Sequence, residues 1–334
     1  MSDQYVICAR AVHKHKGEFV AEPGKLRYLK VPPKSVPKPE HELEVADWAQ
    51  EVRDLADGMR DGLVAKSGDV LIFVHGYNND IEVIRRRQMR LQKDMHTAGW
   101  KGIVISFDWP SDDSTLNYYE DRGDAAEVAH SMVTGGISVL ARGQADGCQT
   151  NVHLLGHSTG AFVIMEAFAQ AEKYGSLFKS DWRVAQVAFI GGDVSSGSLA
   201  HDSQWARPMF DRCMRLTNYT NGFDHVLAIS NAKRLGVAPR AGRVGLPADA
   251  HSKAADVDCS QHFQSIDPKK ATYFGTFAHS WHIGDPVFAL DLSMTLEGRI
   301  DRNFLPTRAP IGGKLVLQKG KRPAFERDWH LDGV

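Results

Sequence analysis

The stretch that most limits how this chain can fold is residues 151–174. Asn151-Val-His-Leu-Leu155 is a short apolar run, then comes Gly156-His157-Ser158-Thr159-Gly160, then a helical pattern from Ser158 to Tyr174. A strand passing directly into a helix needs a sharp turn. The glycines two residues before and after Ser158 allow it, because a Cβ at either place would meet the close-packed strand or helix. Such a turn lifts the serine hydroxyl above the end of the strand. It also commits the chain to strand–helix alternation and a parallel sheet.

The rest of the sequence has the same grammar. Strands are predicted over residues 69–75, 102–107, 184–190, 214–220 and 256–263. Residues 69–75 are almost continuously apolar, as a parallel strand buried on both faces requires. Helices are predicted over 41–60, 80–99, 121–142 with a bend at Gly135-Gly136, 204–212, 224–234 and 284–298. Arg85-Arg86-Arg87 and Arg90 read as a solvated helix face. Residues 234–252 read as a loop, and nothing after Arg302 shows a pattern. The expected architecture is α/β, a mostly parallel central sheet with helices on both faces. Sites in such sheets lie at the carboxyl ends of the strands.

Residues 1–40 stand apart. Strands over 5–12 and 19–31 suggest a hairpin, and the segment from Val31 to Pro39 holds four prolines, which excludes helix and central strand. We therefore divide the chain into a strand-rich extension, 1–40, and a main domain, 41–334, packed as one compact unit. The net charge of −1 gives no reason to expect nucleic acid or an anionic membrane as partner. Cys8, Cys148, Cys213 and Cys259 are scattered, without metal-site spacing, and suit free thiols in a reducing compartment. No signal peptide is visible, and no apolar stretch reaches the roughly 18 residues of a membrane span. The expectation is a cytoplasmic protein.

A serine hydroxyl becomes a nucleophile when a base takes its proton, and the base needs a carboxylate to hold its tautomer. Two aspartates follow strands downstream of Ser158. Asp193 ends residues 188–193, and Asp224 follows the later strand and opens a helix. Asp224 is favoured for its short reach to the histidine loop, although it also suits a helix N-cap. His279 and His282 lie in a loop before the last helix, and spacing does not separate them. His262 falls inside a predicted strand, where packing is expected. The H-x-x-H spacing of His279 and His282 lacks a third ligand, so no metal is expected. Two backbone N–H groups are candidate donors to an oxyanion: that of Thr159, and that of Tyr77 in the turn Val74-His75-Gly76-Tyr77-Asn78. His75 itself is expected only to order that turn. Tyr77, Trp109, Phe162 and Trp281 are candidate walls of an acyl pocket, with core packing equally suited to Phe162.

These blocks resemble the α/β-hydrolase superfamily, and in particular a bacterial family known only as hydrolase-like. Its HGYN turn corresponds to residues 75–78. Its S-W-P-S block corresponds to Ser106-Phe107-Asp108-Trp109-Pro110-Ser111, with Asp108 as an extra residue. Its following tyrosine and aspartate correspond to Tyr118 or Tyr119 and Asp121, and its GHS-x-G to residues 156–160. Tyr219, Asp224-His-Val-Leu227, Ser230 and Pro239-Arg240-Ala-Gly242 match further blocks. The late Ala278-His279-Ser280-Trp281 resembles a G-H-S-Y block. The resemblance spans about residues 65–295.

It implies the α/β-hydrolase fold and a triad of Ser158, His279 and Asp224 without a cofactor. The implied substrate is a small acyl compound, a carboxylic ester first. Thioester or amide cleavage, acyl transfer and non-catalytic ligand binding are alternatives. No long apolar lid of the lipase kind is present.

Overall fold

The computed structural model describes residues 2–58, 68–77, 80–111, 128–141, 150–173, 182–233 and 238–324. Asn78, Tyr118, Tyr119, Asp121 and Cys148 lie outside them, as does the start of the helix expected over 121–142.

The described strands are β1 (Gln4–Val12), β2 (Phe19–Val31), β3 (Glu42–Leu43), β4 (Asp69–Val74), β5 (Ile103–Asp108), β6 (Asn151–His157), β7 (Val184–Ile190), β8 (Cys213–Thr220), β9 (Ala254–Asp258), β10 (Arg308–Ile311) and β11 (Lys314–Leu317). They form one sheet in the order β10-β11-β9-β8-β7-β6-β4-β5-β1-β2-β3. Every neighbouring pair from β11 to β1 is parallel. Antiparallel pairs, β10 with β11 at one edge and β2 with both β1 and β3 at the other, finish the sheet.

β4 shows why the sheet is covered on both faces. Val70, Ile72 and Val74 join one core with the helices Val45–Gly58 and Thr159–Lys173. Leu71 and Phe73 join a second core with the helices Ile81–Thr97 and Pro286–Glu297. All five side chains are fully buried, and burying each contributes about 1.5–3 kcal/mol. The chain goes from β4 to β5 on one side, then returns to place β6 on the other. The carboxyl ends of β4 and β6 therefore flank a switch in strand order, where such sheets open a crevice.

Local signals set the helix ends. Asp80 caps the Ile81–Thr97 helix by accepting from the Val83 N–H at 2.6 Å. Pro286 begins the last helix, and Gly298, at φ 63°, ends it.

The structure departs from the predicted elements in several places, among them short helices, Ala241–Val244 and Phe277–Ser280, where loops were expected. The first long helix starts at Val45, because Glu42 and Leu43 pair with Leu29 and Tyr28 of β2. The Gly135-Gly136 bend is a π-helical segment, Met132–Ile137, with the Tyr28 hydroxyl donating to the Gly135 carbonyl at 2.9 Å. The strand expected over 256–263 is β9, ending at Asp258, and Ser260–Ser265 is helical. The tail after Arg302 forms the β10–β11 hairpin, which turns on Gly312 and Gly313, both at positive φ. Finally, Arg87 is buried rather than solvated, and its Nη2 donates to the Phe274 carbonyl at 2.6 Å. Burial pushes its pKa down to about 10.

Candidate active site

Ser158 sits at the end of β6 with φ 56°, a left-handed conformation that costs a non-glycine residue about 1–3 kcal/mol. The surroundings hold it there. Its N–H donates to the Ile190 carbonyl at 3.1 Å, and its carbonyl accepts from the N–H groups of Ala161 and Asp193. A Cβ on Gly160 would lie 2.2 Å from the Val74 carbonyl oxygen, and one on Gly76 would lie 2.6 Å from the Ser158 Cβ. Both glycines are thus required by contact. Together they press the helix start and the turn after β4 against the serine. Ser158 is 9% exposed.

Asp224 and His279 are brought together. His279 Nδ1 lies 2.6 Å from Asp224 Oδ2, with both side chains buried. The other oxygen, Asp224 Oδ1, accepts from the Leu227 N–H at 3.1 Å and caps the His225–Lys233 helix. Cap and histidine partner, set against each other in the sequence, are one residue using two oxygens. The His279 ring also packs against Gly191, where a Cβ would come within 3.0 Å of it. Gly191 follows Ile190, to which the Ser158 N–H is bonded. Among the described residues no hydrogen bond joins Ser158 to His279.

The rival residues are engaged elsewhere. Asp193 Oδ1 lies 3.1 Å from Arg240 Nε, an ion pair behind the Gly191-Gly192 turn. His262 is helical rather than in a strand, and its Nε2 is 3.0 Å from Asp285 Oδ1. His282 stacks on Trp281 with ring centroids 4.1 Å apart, and neither of its ring nitrogens has a hydrogen-bond partner among the described residues. Burial holds its pKa well below the usual histidine range.

Two contributors are not visible in the sequence patterns. His157, the middle residue of the Gly-x-Ser turn, has its ring centroid 4.8 Å from that of His279 and its Nε2 3.1 Å from the His279 carbonyl oxygen. Burial, then the nearby His279 and Arg87, push its pKa well below the usual range, so it is neutral and donates. The second is Arg87, which ties down Phe274 in the loop leading to His279. Only its helix periodicity, on the same side as Ile84 and Leu91, signalled burial.

Tyr77 is half-buried and Thr159 buried at the two turns that flank Ser158. Of the candidate pocket walls, Trp109 stacks on His75 at 5.4 Å, Trp281 lies in the core beside Phe288, and Phe162 packs on Trp205 at 5.5 Å. Cys8, Cys213 and Cys259 are buried free thiols. Among the described residues there is no cluster suited to a metal ion, and no helix is long and apolar enough to cross a membrane.

The sequence matches no curated protein. Solved structures that it resembles include a lipase-esterase related protein from Clostridium acetobutylicum, 12% identical over 70% of this chain and 96% of that one, TM-score 0.34. An esterase from Pyrobaculum calidifontis is 13% identical over 72% and 78%, TM-score 0.36. A cutinase-like protein from Cryptococcus is 16% identical over 70% and 96%, TM-score 0.32. These likenesses are distant, and the assignment rests instead on the sheet and on a family model that matches residues 55–274. With that match over the centre of the sheet, the chain belongs to the family described as alpha/beta hydrolase of unknown function (DUF900).

Proposed function

We propose that this alpha/beta hydrolase is a serine esterase that cleaves small carboxylic esters through an acyl-enzyme. Ser158 attacks the acyl carbon, and His279 takes its proton and returns it to the leaving alkoxide. Asp224 holds the Nδ1–H tautomer and stabilises the imidazolium. The N–H groups of Tyr77 and Thr159 receive the oxyanion, and water then releases the acid. The observation that carries this reading is the 2.6 Å Asp224–His279 contact, with the His279 ring against the Gly191 turn that also bonds a serine held at φ 56°. A Ser158–His279 bond that forms only with substrate bound is ordinary for such sites.

The test is labelling by a fluorophosphonate probe, beside hydrolysis of p-nitrophenyl acetate, for the wild type and Ser158→Ala. Labelling and turnover that vanish in the variant support the reading. A folded wild type that shows neither overturns it.

A further inference from the structure

Beneath the turn that leaves β4 lies a buried polar cluster that the proposed chemistry does not use. Arg10 reaches it from β1, outside the family match over residues 55–274. Its Nε–H donates to Asp108 Oδ1 at 2.8 Å, and the same oxygen lies 3.3 Å from His75 Nε2. His75 Nδ1–H donates to the Gly76 carbonyl at 2.8 Å. The Trp109 backbone N–H donates to His75 Nε2 at 3.2 Å, and its indole N–H donates to the His75 carbonyl at 2.9 Å. His75, Asp108 and Trp109 are fully buried and Arg10 is 5% exposed.

These bonds assign the protons. His75 carries one proton, on Nδ1, and offers the Nε2 lone pair to Trp109. Burial keeps its pKa below the usual range, which suits the neutral ring. For Asp108 burial acts upward, the Arg10 cation acts downward, and the carboxyl stays below its usual range. Holding a charge pair in the core is costly in solvation. The strand itself does not need the pair, because the β1–β5 ladder already sets Cys8 opposite Asp108.

The Gly76 carbonyl and the Tyr77 N–H are opposite ends of one planar peptide unit. A bond that fixes the carbonyl therefore fixes the direction of the N–H. We infer that Arg10 and Asp108 are positioning residues for the oxyanion donor, holding the Gly76–Tyr77 peptide in its working orientation through His75. The inference rests on the proposed reading of the Tyr77 N–H as that donor. Without Arg10, the buried Asp108 carboxylate draws a proton onto His75 Nε2, and Nε2 can no longer accept from Trp109. His75 still donates to the Gly76 carbonyl from Nδ1, but the ring has lost the Trp109 bond that fixed its place, and the peptide it holds shifts with it.

The experiment compares wild type, Arg10→Met, Asp108→Asn and the double variant, in two measurements. One is p-nitrophenyl acetate turnover. The other is the ionisation of the hemiketal formed with an aryl trifluoromethyl ketone, followed by fluorine NMR, which reports the oxyanion environment directly. A lost donor costs about 100- to 1,000-fold, so a loosened one in Arg10→Met should lower kcat about 10- to 100-fold at unchanged KM. The pKa of the hemiketal hydroxyl should rise by about one, the equivalent of tenfold weaker oxyanion stabilisation. The double variant, with no unpaired charge, should regain most of both.

A folded Arg10→Met variant with wild-type kcat and hemiketal pKa overturns the inference, as does a double variant no better than the single. If Arg10→Met does not fold, Asp108→Asn, which leaves the buried Arg10 cation unpaired, decides. Slower turnover with a raised hemiketal pKa supports the inference, and slower turnover with an unshifted one overturns it. A wild type inert to the fluorophosphonate and the ketone overturns the catalytic reading as well, whereas an active wild type with unaffected variants overturns the inference alone.

Discussion

Asp224 and Asp285 occupy matching positions in two parts of the molecule. Each precedes a helix and accepts the N–H three residues on, Leu227 at 3.1 Å and Phe288 at 2.8 Å. Each also holds a histidine, His279 at 2.6 Å and His262 at 3.0 Å. They differ in how the oxygens are shared and in where the ring lies. Asp224 gives one oxygen to the helix and the other to His279, whose ring lies against Gly191 and beside His157. Asp285 uses a single oxygen for both, and its His262 packs against Trp281. An Asp–His contact is therefore a structural joint first. It becomes a candidate for catalysis only where the ring lies against the turn that also holds a strained serine.

Asparagine caps helices as well as aspartate does, so it separates these roles. Asp224→Asn should lower kcat/KM by about 10,000-fold through the wrong histidine tautomer, with the melting temperature nearly unchanged. Asp285→Asn should leave turnover intact. Equal losses in the two variants break the comparison.

A third carboxylate sharpens it. Asp291 has no histidine and is instead saturated by Arg308 Nη2 at 2.6 Å, Arg308 Nε at 2.9 Å, the Thr307 hydroxyl at 2.6 Å and the Tyr219 hydroxyl at 2.7 Å. It clamps the C-terminal hairpin onto the last helix. Arg308→Met strands this charge in the core and should cost about 3–5 kcal/mol in urea unfolding. The molecules that remain folded should keep their kcat.

The smallest expected effect concerns His282, which has no carboxylate beside it among the described residues. Its native pKa is depressed, chiefly by burial, whereas in the unfolded chain it titrates near 6.5. The stability tied to its neutral form is therefore full above that pH. It is lost as pH falls toward the native pKa, because the unfolded chain then binds a proton the native protein does not. His282→Phe should flatten part of the fall in urea midpoint between about pH 7.5 and about pH 5.5. An unchanged slope shows that the acid sensitivity has another source.

The sequence exposes elements whose burial is local. β4 and β6 are read from unbroken apolar runs, and the turn around Ser158 from its flanking glycines. Asp224 and His279 emerge from chain order together with the resemblance. What escapes is set by distant pairing. β9 is short and weakly apolar, and it holds its place between β8 and β11. The C-terminal hairpin lacks a hydrophobic alternation because Arg308 is buried as a charge. Its Gly312-Gly313 turn was nonetheless a legible signal. The partners of His157 and Arg87 lie more than 100 residues away in sequence, so what they hold is not encoded in a local pattern, even where helix periodicity turns Arg87 inward.

The two ends of the sheet have a further consequence. A row of unpaired strand amides is a template on which another chain can add, the first step toward fibrils. Here one boundary is a two-residue strand, β3, bearing Glu42, and the other is a four-residue strand, β10, containing Pro310. A carboxylate on one border and a proline nitrogen with no hydrogen to donate on the other leave little that a foreign strand can extend. The terminal hairpins thus also protect a wide, apolar sheet from growing beyond its own chain.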